Sequence, residues 1–335
     1  MQEAIALVSG GGNLSRVQAA EIMRLLMSGE ATPAQTGAIL IALRMKGETV
    51  DEITGLAETM RRFATRVPAA RRPLVDTCGT GGDHSGTFNI STTAAFAVAG
   101  AGVAVAKHGN RSATSKCGSA DVLEALGINI DLSPDRVARC IDEIGIGFLF
   151  ARALHGAMKH VAPVRMELRA RTVFNILGPL ANPAGADGQV MGVFDAGLVE
   201  SLARVLNELG TRHAFVVAGL DGLDEITLSG PTRMAELRDG AVRVREVCPA
   251  DFGLSEAPRA AILGGDAAEN AVLLRRVLSG ERGPMRDIVL LNTAPALVAG
   301  GAVEDLREGV ARAAESIDSG AALEKLEALA RATQS

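Results

Sequence analysis

Over about the first 65 residues the apolar positions fall at helical spacing: Ile22, Leu25 and Leu26, then Ile39, Leu40 and Leu43. Each run follows a start signal. Ser15 precedes Gln18 by three residues, Thr32 is followed by Pro33 and Gln35, and Thr49 precedes Glu52. These are capping boxes, in which the hydroxyl and the reciprocal side chain satisfy the free amides of a first helical turn. Gly29 and Gly47 stand where a left-handed C-terminal residue is wanted. A small helical domain over residues 1–70 is expected.

The pattern changes after Arg71-Arg72-Pro73. Short β-rich runs now alternate with helical ones: LVDTC, a helix at 91–100, VAVAK and a helix at 119–126. IGFLF at 146–150, QVMGVF at 189–194 and HAFVVAG at 213–219 follow. Alternation at this pitch predicts an α/β domain over 73–335 with a mostly parallel central sheet. The segment 155–183 reads as helix and turn ending in the loop LGPLANP; helices within about 155–185 can return to complete the helical domain. The tail, 295–333, is helical by Val303, Leu306 and Val310, then Leu323, Leu326 and Leu329. There is no internal repeat.

Composition narrows the classes. The chain has 335 residues and is 47% hydrophobic, enough for a sizeable core, but only 3% aromatic with no Trp or Tyr. Aliphatic packing and close backbone approach must fill it. A net charge of −5 argues against a nucleic-acid partner, which needs a basic surface. The four cysteines, Cys78, Cys117, Cys140 and Cys248, show no zinc spacing. The longest apolar run, Ala94 to Ala106, is too short and glycine-interrupted for a bilayer, and the N-terminus lacks the features of a signal peptide. A cytoplasmic protein with no membrane association is expected.

The chemistry concentrates in two glycine-rich loops, DTCGTGGD at 76–83 and KHGNRSATSKCGS at 107–119, with Asn89, Ser91 and Thr92 between them. Glycine lets backbone amides approach a ligand, and consecutive amides form a nest for anionic oxygens. Both loops lie at the carboxyl ends of expected parallel strands, where ligands of such sheets bind, so they can share one cleft. Ser85, Thr87, Asn89, Ser91 and Thr92 gather short polar side chains at a helix start, where the dipole favours anions. Neither a P-loop nor a GxGxxG fingerprint is present. Lys107, His108, Asn110 and Arg111 add cations and an amide. Asp224-Glu225, on a glycine-bounded loop after a strand, suits Mg²⁺ shared with ligand phosphates. Among the basic residues of MKHVAPVRMELRART, one arginine aimed into the cleft could clamp a carboxylate. Sequence does not say which; Lys159, Arg169 and Arg171 read as a solvated helix face, and His155 and His160 as structural.

These motifs, with TFNIST, RTVFNILGPLANP and DGLDEITLSGPT, resemble the anthranilate phosphoribosyltransferase family in identity and order. The resemblance implies the nucleoside-phosphorylase-like fold, a homodimer through the helical part, and transfer of a phosphoribosyl group from phosphoribosyl pyrophosphate to anthranilate in tryptophan biosynthesis. Carried over by position, it implies phosphoribosyl pyrophosphate contacts at Gly79, Gly82, Asp83, Thr87, Asn89, Ile90, Ser91 and Thr92. The same contacts continue along Lys107, His108, Gly109, Asn110, Arg111, Ser112, Ala113, Thr114 and Ser115, and at Ser119. Mg²⁺ falls to Ser91, Asp224 and Glu225, and anthranilate to Gly79, Asn110 and Arg165. Lys107 and Asn110 would act through charge and positioning. An aromatic amine is already unprotonated at neutral pH, so no proton-transfer residue is assigned. The chain departs from the family at Arg152 and Gly156, where proline is usual, at Arg169, where glycine is usual, and at Ala218, where histidine is common. A pyrimidine nucleoside phosphorylase-like enzyme and a non-catalytic nucleic-acid-binding relative of the same fold are the alternatives.

Overall fold

The computed structural model describes residues 1–112 and 116–334. Four helices open the chain: α1 (Gln2–Ser9), α2 (Arg16–Ser28), α3 (Pro33–Lys46) and α4 (Val50–Phe63). Ser15, Thr32 and Thr49 form the capping boxes with Gln18, Gln35 and Glu52, each cap contributing about 1 kcal/mol. Gly29 closes α2 in the left-handed conformation. Gly47 also has positive φ, but its ψ of 126° sends the chain out extended instead of closing a left-handed cap.

The sheet has seven strands: β1 (Leu74–Asp76), β2 (Ala104–Gly109), β3 (Ile146–Phe150), β4 (Gly188–Gly192), β5 (His213–Gly219), β6 (Thr232–Arg238) and β7 (Ala241–Val247). Their spatial order is β3-β2-β1-β4-β5-β6-β7. β1 to β5 pair in parallel, as the alternation predicts. β6 and β7 are antiparallel; this hairpin is not among the strands expected from the sequence. Its turn is Asp239-Gly240, with φ of 49° and 83°, the positive-φ pair that a tight hairpin requires.

The remaining helices are α5 (Ile90–Gly100), α6 (Ser119–Ala125), α7 (Pro134–Ile144), α8 (Ala151–Leu154), α9 (Ala162–Leu168), α10 (Phe174–Leu180), α11 (Val199–Glu208), α12 (Ala267–Leu278), α13 (Pro284–Ala299), α14 (Leu306–Asp318) and α15 (Ala321–Gln334). Strand alternation splits the apolar side chains between two faces. Val75, Val105, Val190 and Phe215 join a core with α5, α13, α14 and α15. Met191, Ala214 and Val216 join a second core with α10, α11 and the apolar faces of α2, α3 and α4. One apolar cluster therefore runs from the N-terminal helices through α10 to the sheet.

α10 corrects the reading of LGPLANP as a loop, because Leu177 to Leu180 are helical despite Pro179. The last carbonyls of a helix have no intrahelical partner. Here the His108 ring takes Gly178 O at 3.1 Å, Gln189 Nε2 donates to Pro179 O at 2.8 Å, and Arg61 Nε donates to Leu180 O at 2.6 Å. Side chains from β2, β4 and α4 thus tie the helical part to the sheet.

Candidate active site

β1 lies between β2 and β4: the chain runs outward through β2 and β3 on one side and then crosses to β4 on the other, so the loop after β1 opens at the switch point of the sheet. That loop carries GTGGD. Thr80 N–H donates to Gly192 O at 2.8 Å, and Gly81 N–H donates to Asp224 Oδ2 at 2.8 Å. Asp224 N–H reaches Asp83 Oδ2 at 3.4 Å. The approach demands glycine on both sides. A Cβ at Gly192 would run into the Asp224 carbonyl oxygen, and one at Gly79 would lie 3.1 Å from Gly192 O and 3.2 Å from Asp224 Oδ2. Gly81, Gly82, His84 and Gly86 all have positive φ. Among the described residues, no protein acceptor takes the N–H groups of Gly79, Gly82 or Asp83.

The start of α5 supplies a second set of free amides. Its N-cap residue, Asn89, makes no side-chain cap. The Asn89 carboxamide is held elsewhere: Oδ1 accepts Asn270 Nδ2 at 2.9 Å, and Nδ2 reaches Cys117 O at 3.4 Å. The first-turn N–H groups of Ser91 and Thr92 are left without protein acceptors among the described residues. Ile90 and Thr92 are buried, so they can offer a ligand only backbone. Thr87 pairs as an isolated bridge with Leu263. An uncapped helix start beside a glycine nest is an anion site on elementary grounds.

Carboxylates lie beside both sets of amides. Asp224 Oδ2 accepts the Gly81 N–H, and the Ser91 side chain faces Glu225. Burial, with repulsion from Asp83, pushes the Asp224 carboxyl up; burial and Asp224 do the same for Glu225. Crowded oxygen donors of this kind fit a hard divalent cation. Lys107 lies under them, buried, with Nζ donating to Thr77 O at 2.8 Å and Ser91 Oγ at 3.4 Å.

His108 points the other way. β2 runs through Gly109, so neighbouring side chains at 107 and 108 leave on opposite faces. The His108 ring contacts Gly178 O through Nδ1 and His155 Nε2 through Nε2, at 3.1 and 3.2 Å. The carbonyl requires a proton on His108 Nδ1, so His155 Nε2–H is the donor to the His108 Nε2 lone pair. Burial lowers His108 to about 3 and His155 to about 4, so both are neutral. Asp76, Cys78 and His108 bring ligand atoms within 4.8 Å of one another. With both imidazole nitrogens engaged, and Asp76 accepting from His108 N–H and Asn182 Nδ2, they form a hydrogen-bonded frame.

The second loop is organised by α6. Asp121 Oδ2 accepts the N–H of Ser112 at 3.1 Å and of Gly118 at 2.8 Å. Arg111 turns to Asp121 and Glu124, which neutralise it. Asn110 is exposed; its Oδ1 accepts Arg111 N–H, and its carbonyl accepts Ser119 Oγ at 3.2 Å. Gly109 has no room for a Cβ beside Ser119 and Phe148. Ala113, Thr114 and Ser115 lie outside the described residues.

Arg165, on α9, is half-buried, its guanidinium 5.1 Å from the Phe174 ring centroid. Burial alone lowers its pKa, and no carboxylate among the described residues pairs with it. Arg152 and Gly156 flank buried His155, and Ala218 is buried in β5. The residues that the sequence reading misses are Asn270, which pins Asn89, and Arg171. Arg171 stands in the linker after α9, not on a solvated helix face, and donates to Gly82 O. The signal for Asn270 is its polar side chain at a buried helical position; Arg171 has none in one sequence.

Known proteins share this architecture. Residues 71–323 match the model of the glycosyl transferase family α/β domain, and residues 2–64 that of its helical bundle domain. The anthranilate phosphoribosyltransferase of Symbiobacterium thermophilum is 62% identical over 98% of this chain and 96% of its own length. The chain belongs to the anthranilate phosphoribosyltransferase family. The crystal structure of the Thermus thermophilus enzyme matches with a TM-score of 0.95 and 46% identity over 99% of each chain. The Saccharomyces cerevisiae enzyme, solved in complex with phosphoribosyl pyrophosphate and Mg, matches with a TM-score of 0.87 and 28% identity over 96% of this chain and 94% of that one.

Proposed function

We propose that this protein transfers the phosphoribosyl group of phosphoribosyl pyrophosphate to the amine of anthranilate, releasing pyrophosphate, in tryptophan biosynthesis. One observation carries it. Next to Asp224, which accepts Gly81 N–H, and Glu225, the N–H groups of Gly79, Gly82 and Asp83 and those of Ser91 and Thr92 at the start of α5 have no acceptor among the described residues, which gives donors for a pyrophosphate and carboxylates for its cation in one place. Gly79, Gly82, Asp83, Asn89, Ser91 and Thr92 bind the phosphoribosyl substrate, together with residues of the second loop, Lys107 to Ser119. Asp224, Glu225 and Ser91 hold Mg²⁺, which when bound supplies positive charge against the leaving pyrophosphate. Lys107 acts through the buried base of the cleft, its charge spread through Thr77 and Ser91. Arg165, a half-buried cation with no acid partner among the described residues, takes the anthranilate carboxylate.

Displacement at the ribose carbon builds positive charge on the sugar and negative charge on the leaving group. Fixed amides stabilise that negative charge without reorganising, and holding the neutral amine in line contributes the rest. His108 and His155, neutral and tied to Gly178, brace the frame beneath. The protein works in the cytoplasm as a homodimer through its helical part. Val17 on α2, Met45 on α3 and Met166 on α9, 78%, 83% and 70% exposed, support that assembly. No described helix is long and apolar enough to cross a membrane.

The test is loss of anthranilate fluorescence on mixing with phosphoribosyl pyrophosphate and Mg²⁺. Turnover that stops with a chelator and returns with added Mg²⁺ is expected. An inert protein, or turnover indifferent to chelation, overturns the reading.

A further inference from the structure

The loop from Gly79 to Gly86 turns repeatedly through the left-handed region, at Gly81, Gly82, His84 and Gly86, and so relies on contacts outside itself to hold its course. From the sheet it is held by Thr80 N–H on Gly192 O and by Gly81 N–H on Asp224. The hold from the opposite, helical side is Arg171. This residue lies in the linker between α9 and α10, whose flanking Val161, Val173, Phe174 and Leu177 are buried in the core of the N-terminal helices. Its guanidinium sits over the Phe194 ring, 3.9 Å from the centroid, and Nη2 donates to Gly82 O. A Cβ at Gly82 would lie 3.4 Å from that same nitrogen. No carboxylate among the described residues pairs with Arg171.

The consequence follows from the peptide plane. In a trans peptide the carbonyl and the following N–H point in opposite directions. With Gly82 O fixed toward Arg171, the Asp83 N–H is turned away from the helical side. That N–H has no protein acceptor among the described residues. The Asp83 carboxylate, one residue on, is left against the Asp224 backbone N–H.

We propose that Arg171 is a positioning residue for the phosphoribosyl pyrophosphate loop: it clamps the Gly82 carbonyl, with Phe194 fixing its guanidinium, so that the Asp83 amide is presented to the substrate. The inference rests on the phosphoribosyl pyrophosphate reading above. It also makes the loop's order depend on docking of the linker that follows Arg165, so the two halves of the cleft are joined mechanically by one side chain.

Arg171→Ala, Arg171→Lys, Phe194→Leu and the double variant Arg171→Ala/Phe194→Leu test it. Rates are measured against phosphoribosyl pyrophosphate at saturating anthranilate and Mg²⁺, and binding of Mg²⁺–phosphoribosyl pyrophosphate by calorimetry without anthranilate. Arg171→Ala raises KM and Kd for phosphoribosyl pyrophosphate about 10-fold, the loss of one charge-assisted hydrogen bond. kcat stays within about 3-fold and the anthranilate KM within about 2-fold, since Arg171 touches neither the reacting atoms nor Arg165. Arg171→Lys keeps a donor for Gly82 O and recovers most of the loss. Phe194→Leu, which leaves the charge but removes its support, raises KM about 3-fold, and the double variant is no worse than Arg171→Ala.

An Arg171→Ala KM within about 2-fold of wild type overturns the proposal. A full effect of Arg171→Ala with none from Phe194→Leu also overturns it, because the arginine would then be meeting the substrate directly. Should Arg171→Ala fail to fold, Arg171→Lys and Phe194→Leu decide alone: no rise in KM in either overturns the proposal. A wild-type protein that binds no Mg²⁺–phosphoribosyl pyrophosphate overturns the functional reading itself, whereas equal binding by wild type and Arg171→Ala overturns only this inference.

Discussion

The two halves of the cleft present charge by opposite means. The phosphate half is backbone: free amides of a glycine loop and a helix start, with Asp224 and Glu225 set against them. The arginine half is side chain: Arg165 on a short helix over Phe174. The loop's backbone donors are set by its ties to the sheet at Gly192 and Asp224 and by Arg171 at Gly82. A guanidinium on a seven-residue helix depends on how that helix docks. The first half leaves little room for change, as the blocked Cβ position at Gly192 shows, whereas the departures from the family at Arg152 and Gly156 fall on the arginine side, in the segment before α9.

The largest expected effect breaks the phosphate half. Asp224→Ala/Glu225→Ala removes both carboxylates proposed to hold the cation, and activity falls by about 100-fold or more, the scale of losing a preorganised charge in a dry site. Chelator titration checks it: the residual rate of the variant no longer responds. Near-normal, chelator-sensitive turnover would place the metal elsewhere and dissolve the contrast between the halves.

Arg165→Ala tests the other half with a smaller effect. One charge-assisted pair is lost, so the anthranilate KM rises about 10-fold while that for phosphoribosyl pyrophosphate moves by less than about 2-fold. Stability runs the opposite way to ordinary intuition. Without ligand, Arg165 bears the cost of burial and has no acid among the described residues to offset it, so alanine leaves the melting temperature unchanged or raises it. A KM defect confined to phosphoribosyl pyrophosphate would mean that this arginine serves the phosphate half.

What was readable in the sequence follows the range of the forces involved. The capping boxes at Ser15, Thr32 and Thr49 are local hydrogen bonds, so three residues suffice to announce them. The parallel strands follow from the alternation of apolar runs with helices. The β6–β7 hairpin lies outside the strand–helix alternation, so that pattern does not announce it, although Asp239-Gly240 is a local turn signal. β2 extends two residues past VAVAK because pairing with β3 continues to Gly109 and Phe150. That extension sends Lys107 and His108 to opposite faces, which the apolar run alone does not reveal. Arg171 and Asn270 act across the chain, on Gly82 and Asn89, and no local pattern carries such a contact.

The smallest effect sharpens the arginine half at its edge. Arg169 ends α9 with φ of 46° and ψ of 31°, the left-handed conformation. A side chain there crowds Cβ against the backbone, and glycine, usual at this position in the family, does not. Arg169 is exposed and sits where a helix C-cap needs shape more than charge. Arg169→Gly therefore relieves strain in the folded state, offset in part by the greater freedom of glycine in the unfolded chain, for a net gain of about 0.5–1 kcal/mol. The melting temperature rises by about 2 °C, and the anthranilate KM stays within about 2-fold because the α9 backbone already has this shape. A fall in melting temperature would show that the arginine side chain contributes more to this corner than its backbone costs. A rise in anthranilate KM would show that Arg169, beside Arg165 and Arg171, belongs to the substrate's electrostatic field.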